Sequence, residues 1–233
     1  PQVIAEITDR TGLPIMLEGV YNWVAFLPSR ESNKVGVPNR YFGVFRHGEI
    51  KTRGIELRRG DTAPWIKKVQ QQAVDLLALA HDRKEFIDQV PQVIDLIRGQ
   101  LDLLRFRQID HRDLVLTYRL TREPQDYQHN TLNSIVARQL AQHGVSLQAG
   151  EAIQYIITNA KARRPNDRAQ ALKLFDPMAG YDVEKYSELL LRAMETILQP
   201  AGLDRSQIER RVDQTEAEPA VWQMKMDWRK VTD

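Results

Sequence analysis

The first quarter of the chain shows the short apolar runs, separated by Gly, Pro and polar residues, that are typical of strands. The predicted strands or strand edges are residues 13–21, 23–27, 41–45 and 50–57. Residues 29–38 are polar and are predicted to form a loop. The last two strands are expected to form a hairpin, because Gly48 between them can adopt the positive φ of a tight turn.

From Asp61 onward the apolar residues recur about every 3.6 positions, which predicts helices. The first helix is expected to have Asp61 or Thr62 as its N-cap and Pro64 in its first turn. Further helices are predicted over residues 82–104, 131–143 and 182–198 and after Asp204, with short strands over residues 114–118 and 152–158. Pro91 predicts either a kink or a break within the second helix. The pattern indicates an α+β fold, with a β-containing first part and a mainly helical remainder.

Composition excludes several classes of protein. The 233 residues include 33 Lys and Arg and 31 Asp and Glu. The chain is therefore not uniformly basic, and any surface for nucleic acid must be local. No apolar run approaches the ~18 residues of a membrane span, and the chain does not begin with a signal peptide. The absence of cysteine fits a reducing compartment such as the cytoplasm. Because Pro1 stands where an initiator Met is expected, we expect a piece of a longer polypeptide.

The sequence lacks the usual catalytic motifs. It has no Gly-rich phosphate loop, dinucleotide-binding turn or nucleophile elbow. Its five histidines do not have metal-ligand spacing, and no pair of carboxylates suits a site with two metal ions. We therefore expect no catalytic residue and no metal ligand in this chain, and not a self-sufficient enzyme.

Basic residues gather in two segments. Residues 40–59 contain six Lys or Arg and two Glu, and residues 161–168 contain four Lys or Arg and one Asp. Both segments are predicted to be turns or strand ends, where arginine side chains and exposed backbone amides suit contacts to DNA phosphates. An ordinary charged surface explains the same counts, so charge alone leaves both interpretations open.

Several short motifs follow one another in an order that resembles a known family. They are TGLPIMLE at 11–18, PNRY at 38–41, TRGIELRRGD at 52–61, TREPQDY at 121–127, GEAIQYII at 150–157, NDRA at 166–169 and FDP at 175–177. In this order they resemble the C-terminal part of family B DNA polymerases, the end of the palm followed by the thumb. The resemblance covers residues 4–211.

The resemblance implies an organisation and a set of DNA contacts. Residues 1–60 would be the end of the palm, residues 61–212 the thumb and residues 213–233 a tail. The residues expected on DNA are Asn39, Arg40, Tyr41, Arg53, Gly54, Arg58, Arg59, Thr121, Arg122, Asp126, Tyr127, Arg163, Arg164 and Arg168. We expect Arg40, Arg53, Arg59 and Arg168 to line one concave surface. For Tyr41 and Tyr127, packing in the core with a bonded hydroxyl is the alternative.

The same resemblance implies partners and a cellular location. The partners would be double-stranded primer–template DNA, bound without sequence preference, and the rest of the polymerase chain, with no membrane. The aspartates that hold Mg²⁺ in the parent polymerase would precede this chain, so no cofactor is expected here. The location would be cytoplasmic and nucleoid-associated.

Two other functions remain open. One is a free-standing, non-catalytic DNA-binding subunit of a split or degenerate polymerase. The other is a helical protein-interaction adaptor unrelated to DNA, which depends on the tail with its Trp222, Met224, Met226 and Trp228. A tail that packs back onto the body of the protein is the preferred interpretation of these four side chains.

Overall fold

The structure is a computed structural model that describes residues 2–28 and 36–214. Its helices are α1 (Gln2–Thr11), α2 (Pro64–Leu77), α3 (Arg83–Asp88), α4 (Val90–Arg105), α5 (Leu132–Gln142), α6 (Val183–Leu198) and α7 (Arg205–Asp213). Its strands are β1 (Tyr21–Pro28), β2 (Gly36–Phe45), β3 (Ile50–Arg53), β4 (Leu116–Arg119), β5 (Ala152–Ile157) and β6 (Ala169–Ala171). They form two antiparallel three-stranded sheets, β1-β2-β3 and β4-β5-β6, which confirms the α+β class.

The first sheet contains the predicted hairpin. Gly48 in the turn between β2 and β3 has a φ of 92°, as a tight turn at this position requires. One face of the sheet, with Leu27 and Phe42 fully buried, packs on the helices. The predicted strand 50–57 was too long, because β3 ends at Arg53 and Glu56–Arg58 form a 3₁₀ helix.

Two other expectations near the N-terminus were wrong. Residues 13–20 form no regular element, and they are preceded by α1, which the pattern of apolar runs did not predict. Gly36 to Pro38 belong to β2 and not to the predicted loop, whose residues 29–35 lie outside the described part.

The helices settle the question that Pro91 raised. The chain breaks at Gln89, which is the C-cap of α3 and the N-cap of α4, and Pro91 lies in the first turn of α4. Backbone N–H groups in the first turn of a helix have no partner within that helix, so the N–H that Pro91 lacks costs no hydrogen bond there. This explains why α4 begins just before Pro91. The N-cap of α2 is Ala63, without a side-chain bond, and not Asp61 or Thr62 as predicted.

The second sheet lies among the helices of the remainder. Strand β5 agrees with the prediction, but the strand predicted over residues 114–118 is shifted to β4, because His111–Leu114 form a 3₁₀ helix. Strand β6 was not predicted. Thr131 caps α5 and Gly144, with a φ of 79°, follows it, as the sequence indicated.

The last two helices begin where their caps predicted. Asp182 accepts a hydrogen bond from the Lys185 backbone, and Asp204 with Gln207 forms a complete capping box. A single hydrophobic core runs from Leu27 in the first sheet to Val212 in α7. The tail from residue 215 lies outside the described residues. None of the described helices is long and apolar enough to cross a membrane.

Candidate nucleic-acid interface

One group of predicted DNA contacts lies at the end of the first sheet. Tyr41 in β2 is directly opposite Arg53 in β3, so their side chains share a face of the sheet. Gly54 follows with a φ of 67°, and its backbone approaches Asn39 and Arg40 so closely that a Cβ there would overlap the Asn39 carbonyl oxygen. The chain therefore brings these five residues together, and it does so only with glycine at position 54.

Two members of this group also have structural contacts. The Arg40 guanidinium donates to the Pro28 carbonyl at 2.8 Å, which fastens β2 to the end of β1. The Tyr41 ring lies 5.5 Å from the Phe26 ring and 6.2 Å from the Tyr21 ring. Burial, a hydrogen bond with Tyr41 and the nearby Glu18 together raise the pKa of Tyr21 to about 12. Tyr41 therefore packs on aromatic neighbours of the first sheet, but it lies outside the hydrophobic core.

A buried glutamine in α2 positions the segment that carries Arg58 and Arg59. Gln70 accepts a hydrogen bond from the Leu57 backbone at 2.6 Å and donates to the Ala193 carbonyl at 2.8 Å. Since Gln70 is fully buried, these bonds face no competition from water. They hold the 3₁₀ helix that ends at Arg58 against α2 and α6.

Arg59 forms a two-bond ion pair. Its Nε and Nη2 donate to the two carboxylate oxygens of Asp61 at 2.9 and 2.7 Å. The hydrogen bond from Arg59 lowers the pKa of Asp61, and the carboxylate raises the pKa of Arg59. This pair explains why Asp61 does not cap α2. The Asp61 carboxylate therefore already neutralises the positive charge of Arg59.

The Arg59–Asp61 pair lines a cleft of about 230 Å³ between α2, β4 and α6. Arg192 of α6 and Glu56 line the same cleft. The cleft therefore contains two arginines and two carboxylates and has no excess positive charge. The sequence analysis missed Arg192, because it lies on an amphipathic helix and outside both basic segments.

A second group of predicted contacts, residues 121–127, follows β4. The Tyr127 hydroxyl accepts a hydrogen bond from the Thr121 backbone at 3.2 Å and closes this segment into a turn. Burial alone would raise the pKa of Tyr127, but hydrogen bonds from Thr121, the Arg122 backbone and Tyr118 lower it. Arg122 and Asp126 are exposed.

The third group lies in the loop between β5 and β6. Arg163 and Arg164 are exposed. Arg168 is half-buried, and its Nε donates to the Ala162 carbonyl at 2.8 Å, so it closes the loop. Gln139 of α5 anchors the base of this loop: it donates to the carbonyls of Asn166 and Ala169 and accepts from the Ala171 backbone.

Replacing Gln139 by leucine should lower the free energy of unfolding by about 2–3 kcal/mol, because three backbone groups lose a buried partner. Gln142 lies on the same helix and is exposed, so Gln142→Leu should change stability by less than about 0.5 kcal/mol. Urea unfolding of both variants measures the difference. Equal effects of the two substitutions would show that the Gln139 bonds do not hold the loop.

Contacts within the protein connect the second and third groups. Arg138 donates to the Tyr127 carbonyl at 3.4 Å, and the next residue, Gln139, holds the β5–β6 loop. Consecutive residues of α5 thus join the two segments. Arg138 is a further residue that the sequence analysis missed.

The Arg59–Asp61 pair also approaches the second sheet. Burial raises the pKa of Tyr155, and the Asp61 carboxylate and Tyr118 add to the shift, so these groups are near one another. Tyr118 also lies near Tyr127, whose pKa it lowers. The single concave surface expected for Arg40, Arg53, Arg59 and Arg168 stays a prediction.

Among the arginines predicted to contact DNA, five have guanidinium groups without a partner in the described residues. They belong to Arg53, Arg58, Arg122, Arg163 and Arg164, which are exposed and make no hydrogen bond or ion pair with another described residue. Unpaired arginines of this kind can donate two parallel hydrogen bonds to a phosphate. By contrast, no group of three His, Asp or Glu side chains in residues 2–28 and 36–214 could hold a metal ion.

Comparisons with known proteins place these segments in a family. The family model for DNA polymerase family B matches residues 38–201. DNA polymerase 1 of Saccharolobus solfataricus is 23% identical over 208 residues, which cover 88% of this chain and 22% of that protein. The DNA polymerase of Thermococcus kodakarensis is 30% identical over 165 residues, or 70% of this chain and 9% of the relative.

A solved structure has the same fold. The family B DNA polymerase from the hyperthermophilic archaeon Pyrobaculum calidifontis matches with a TM-score of 0.61 and 22% identity, over 87% of this chain and 25% of that one. The chain thus spans a quarter or less of the length of these relatives. It belongs to the family B DNA polymerases and corresponds to a fragment of them.

Proposed function

We propose that this chain binds the duplex product of a template-directed family B DNA polymerase. Residues 1–60 would form the end of the palm and residues 61–212 the thumb, with a tail over 213–233. The observation that carries the proposal is that five exposed arginines, within or next to the segments that resemble the family's motifs, have no partner among the described residues.

The arrangement suits phosphate contacts rather than reading of bases. The five arginines extend from a strand end, a 3₁₀ helix and two loops. None of them lies on a described α-helix, which is an element that can enter a major groove and contact base edges. Contacts to phosphate and sugar position a duplex but carry no sequence information. Binding should therefore be independent of sequence.

The chemistry of nucleotidyl transfer would be supplied elsewhere. Mg²⁺ is expected in the parent polymerase, but the described residues offer no suitable set of ligands. We therefore expect the chain alone to be inactive and the rest of a polymerase polypeptide to be its partner. A cytoplasmic, nucleoid-associated location follows from the same proposal.

A free-standing, non-catalytic DNA-binding subunit of a split or degenerate polymerase is the second candidate. It shares the duplex-binding role, and the concentration of exposed apolar side chains in residues 3–26 supports it. The adaptor hypothesis depends on tail residues that lie outside the described part of the chain.

Titration of the full chain with duplex DNA over a salt series tests the proposal. If the five free arginines contact phosphates, a plot of log K against log salt should have a slope of about −4 to −5, since each contact contributes about −0.9. Duplexes of unrelated sequence should bind within about threefold of one another. Binding that does not depend on salt, or that prefers one sequence, would contradict the proposal.

A further inference from the structure

Arg107, just after α4, has a backbone conformation that is unusual for arginine. Its φ is 56°, and no other residue except glycine has a positive φ in residues 2–28 and 36–214. Its backbone N–H donates to the Leu104 carbonyl, and that of Gln108 donates to the Leu103 carbonyl. These bonds form a Schellman motif, in which glycine is the usual residue at the left-handed position. An arginine held in this conformation indicates a role for its side chain.

The structure holds one end of the Arg107 guanidinium. Its Nη1 donates to the Tyr181 carbonyl at 3.0 Å, and the group lies over the Tyr181 ring, 5.2 Å from the centroid. Gly180, with a φ of 69°, makes room for it, since a Cβ there would overlap Nη1. The Tyr181 hydroxyl donates to the Leu104 carbonyl at 3.3 Å and fixes the ring. Nε and Nη2 make no hydrogen bond with another described residue, so they remain available as donors.

The guanidinium lines a pocket of about 340 Å³ between the end of α4 and the segment before α6. We call it the Arg107 pocket. Its wall also includes Tyr181, Gln108, His111 and Phe175, and the His111 ring lies 5.4 Å from the Phe175 ring. The pocket therefore combines a cation with aromatic rings. Its volume is at the lower end of the range for small-ligand sites, which suits one nucleotide and excludes a duplex.

One of the residues that line the Arg107 pocket is acidic, and its carboxylate has other partners. Asp110 accepts a hydrogen bond from the Arg112 backbone at 2.8 Å and lies 3.4 Å from His111 Nδ1. It forms no ion pair with Arg107. The positive charge of Arg107 is therefore not neutralised within the pocket, and the guanidinium suits an anionic group such as a phosphate.

The Arg107 pocket adjoins the third group of proposed DNA contacts. Tyr181 in its wall is followed by Asp182, whose carboxylate accepts a hydrogen bond from the Ala160 backbone at 2.6 Å. Ala160 belongs to the loop between β5 and β6, which carries Arg163 and Arg164. A direct hydrogen bond thus joins this loop to the residue next to the pocket wall.

An exposed aromatic ring lies beside the pocket in the chain. Phe106 precedes Arg107 and is 74% exposed, compared with 53% for Phe26. Proteins bind single-stranded DNA with cations that contact its phosphates and with aromatic rings on which its bases stack. Arg107 offers the cation, and Phe175 and Phe106 offer the rings. Bases within a duplex already stack on their neighbours, so these rings suit unpaired bases.

We propose that the Arg107 pocket binds an unpaired nucleotide of single-stranded DNA next to the duplex. Arg107 would donate to its phosphate through Nε and Nη2, and its base would stack on Phe175. The proposal deepens the proposed function and rests on it for the choice of DNA as the ligand. An acidic side chain of a protein would also accept hydrogen bonds from Arg107, but it brings no planar ring for the aromatic wall.

The test is a calorimetric titration of the full chain with three DNA probes. They are a blunt duplex of about 12 base pairs, the same duplex with about six unpaired deoxyadenosines, and a single strand of about six deoxyadenosines. The extended duplex should bind about tenfold more tightly than the blunt one, because at least one base gains a stacking partner. The ratio of these two affinities is the gain from the extension.

Two substitutions of Arg107 and a matched control locate the gain. Arg107→Gln and Arg107→Gly should reduce it to less than about twofold. Arg107→Gly keeps the chain folded, because glycine is the usual residue at this φ, and circular dichroism checks this. Arg105 lies two residues away, is exposed and pairs with Asp102. Arg105→Gln removes the same charge outside the pocket and should leave the gain at about tenfold.

The outcomes separate the pocket from the duplex-binding proposal. Equal gains for the Arg107 and Arg105 variants, or no gain for the unaltered chain, would overturn the assignment of the pocket. Displacement of the single strand by an equal concentration of dAMP, or of a short acidic peptide, would overturn it in favour of a free nucleotide or a protein ligand. Failure to bind the blunt duplex would refute the proposed function, whereas single-strand binding that depends on Arg107 would still support the pocket.

Discussion

Replacement of Gly54 by alanine should lower the free energy of unfolding by about 3 kcal/mol or more. A residue with a side chain costs roughly 1–2 kcal/mol in the left-handed region, where Gly54 has a φ of 67°. The new Cβ would also overlap the Asn39 carbonyl and come within 2.9 Å of Arg40 Cγ. Crowding of this kind adds about 1–3 kcal/mol. Urea unfolding followed by circular dichroism measures the loss.

Two other glycines separate the causes of this loss. Gly48 has a φ of 92° but open space around its Cβ position, so Gly48→Ala should cost only about 1–2 kcal/mol. Gly60 has neither a positive φ nor a neighbour within 4 Å, and Gly60→Ala should be close to neutral. If Gly54→Ala lowers the free energy of unfolding no more than Gly48→Ala does, the close approach to Asn39 is not the reason for glycine at position 54.

The elements that the sequence predicted well are those determined by neighbouring residues. Helix α6 begins at the Asp182 cap, and α7 begins at the Asp204 capping box, because both caps act within three residues along the chain. The turn at Gly48 was predicted for the same reason. A short sequence pattern predicts an element correctly where the hydrogen bonds that fix its ends join residues close together in the chain.

The predictions failed where distant contacts decide. Residues 50–57 have the composition of one strand, yet β3 ends at Arg53 because Gly54 turns the backbone against Asn39. Asp61 has the chemistry of an N-cap, but Arg59 binds both of its carboxylate oxygens. Neither the position of Asn39 nor the geometry of the ion pair can be read from residue types.

For the candidate interface, the sequence identified the arginines but not which of them are free. Arg164 and Arg168 belong to the same basic segment. In the structure Arg168 donates to the Ala162 carbonyl, while Arg164 is exposed without a partner among the described residues. The difference depends on where the loop places a backbone carbonyl. The same applies to Arg40, which donates to the Pro28 carbonyl.

Removal of four free arginines should have a large effect on DNA binding. The variant Arg53→Gln, Arg58→Gln, Arg163→Gln, Arg164→Gln removes groups that make no hydrogen bond or ion pair with other described residues, so its stability should change little. The slope of log K against log salt should become less steep by about 3–4 units, since each phosphate contact contributes about 0.9. At about 0.1 M salt this corresponds to a loss of affinity on the order of 10³-fold.

A control with the same change in net charge tests whether position matters. Arg83, Lys84, Arg210 and Arg211 are exposed on α3 and α7, outside the proposed contacts. Replacing these four residues by glutamine lowers the charge equally, but it should change the slope by less than about one unit. A long-range field of the whole protein would respond similarly to both variants, whereas direct phosphate contacts respond only to the first. Equal slopes for the two variants would therefore refute contact by Arg53, Arg58, Arg163 and Arg164.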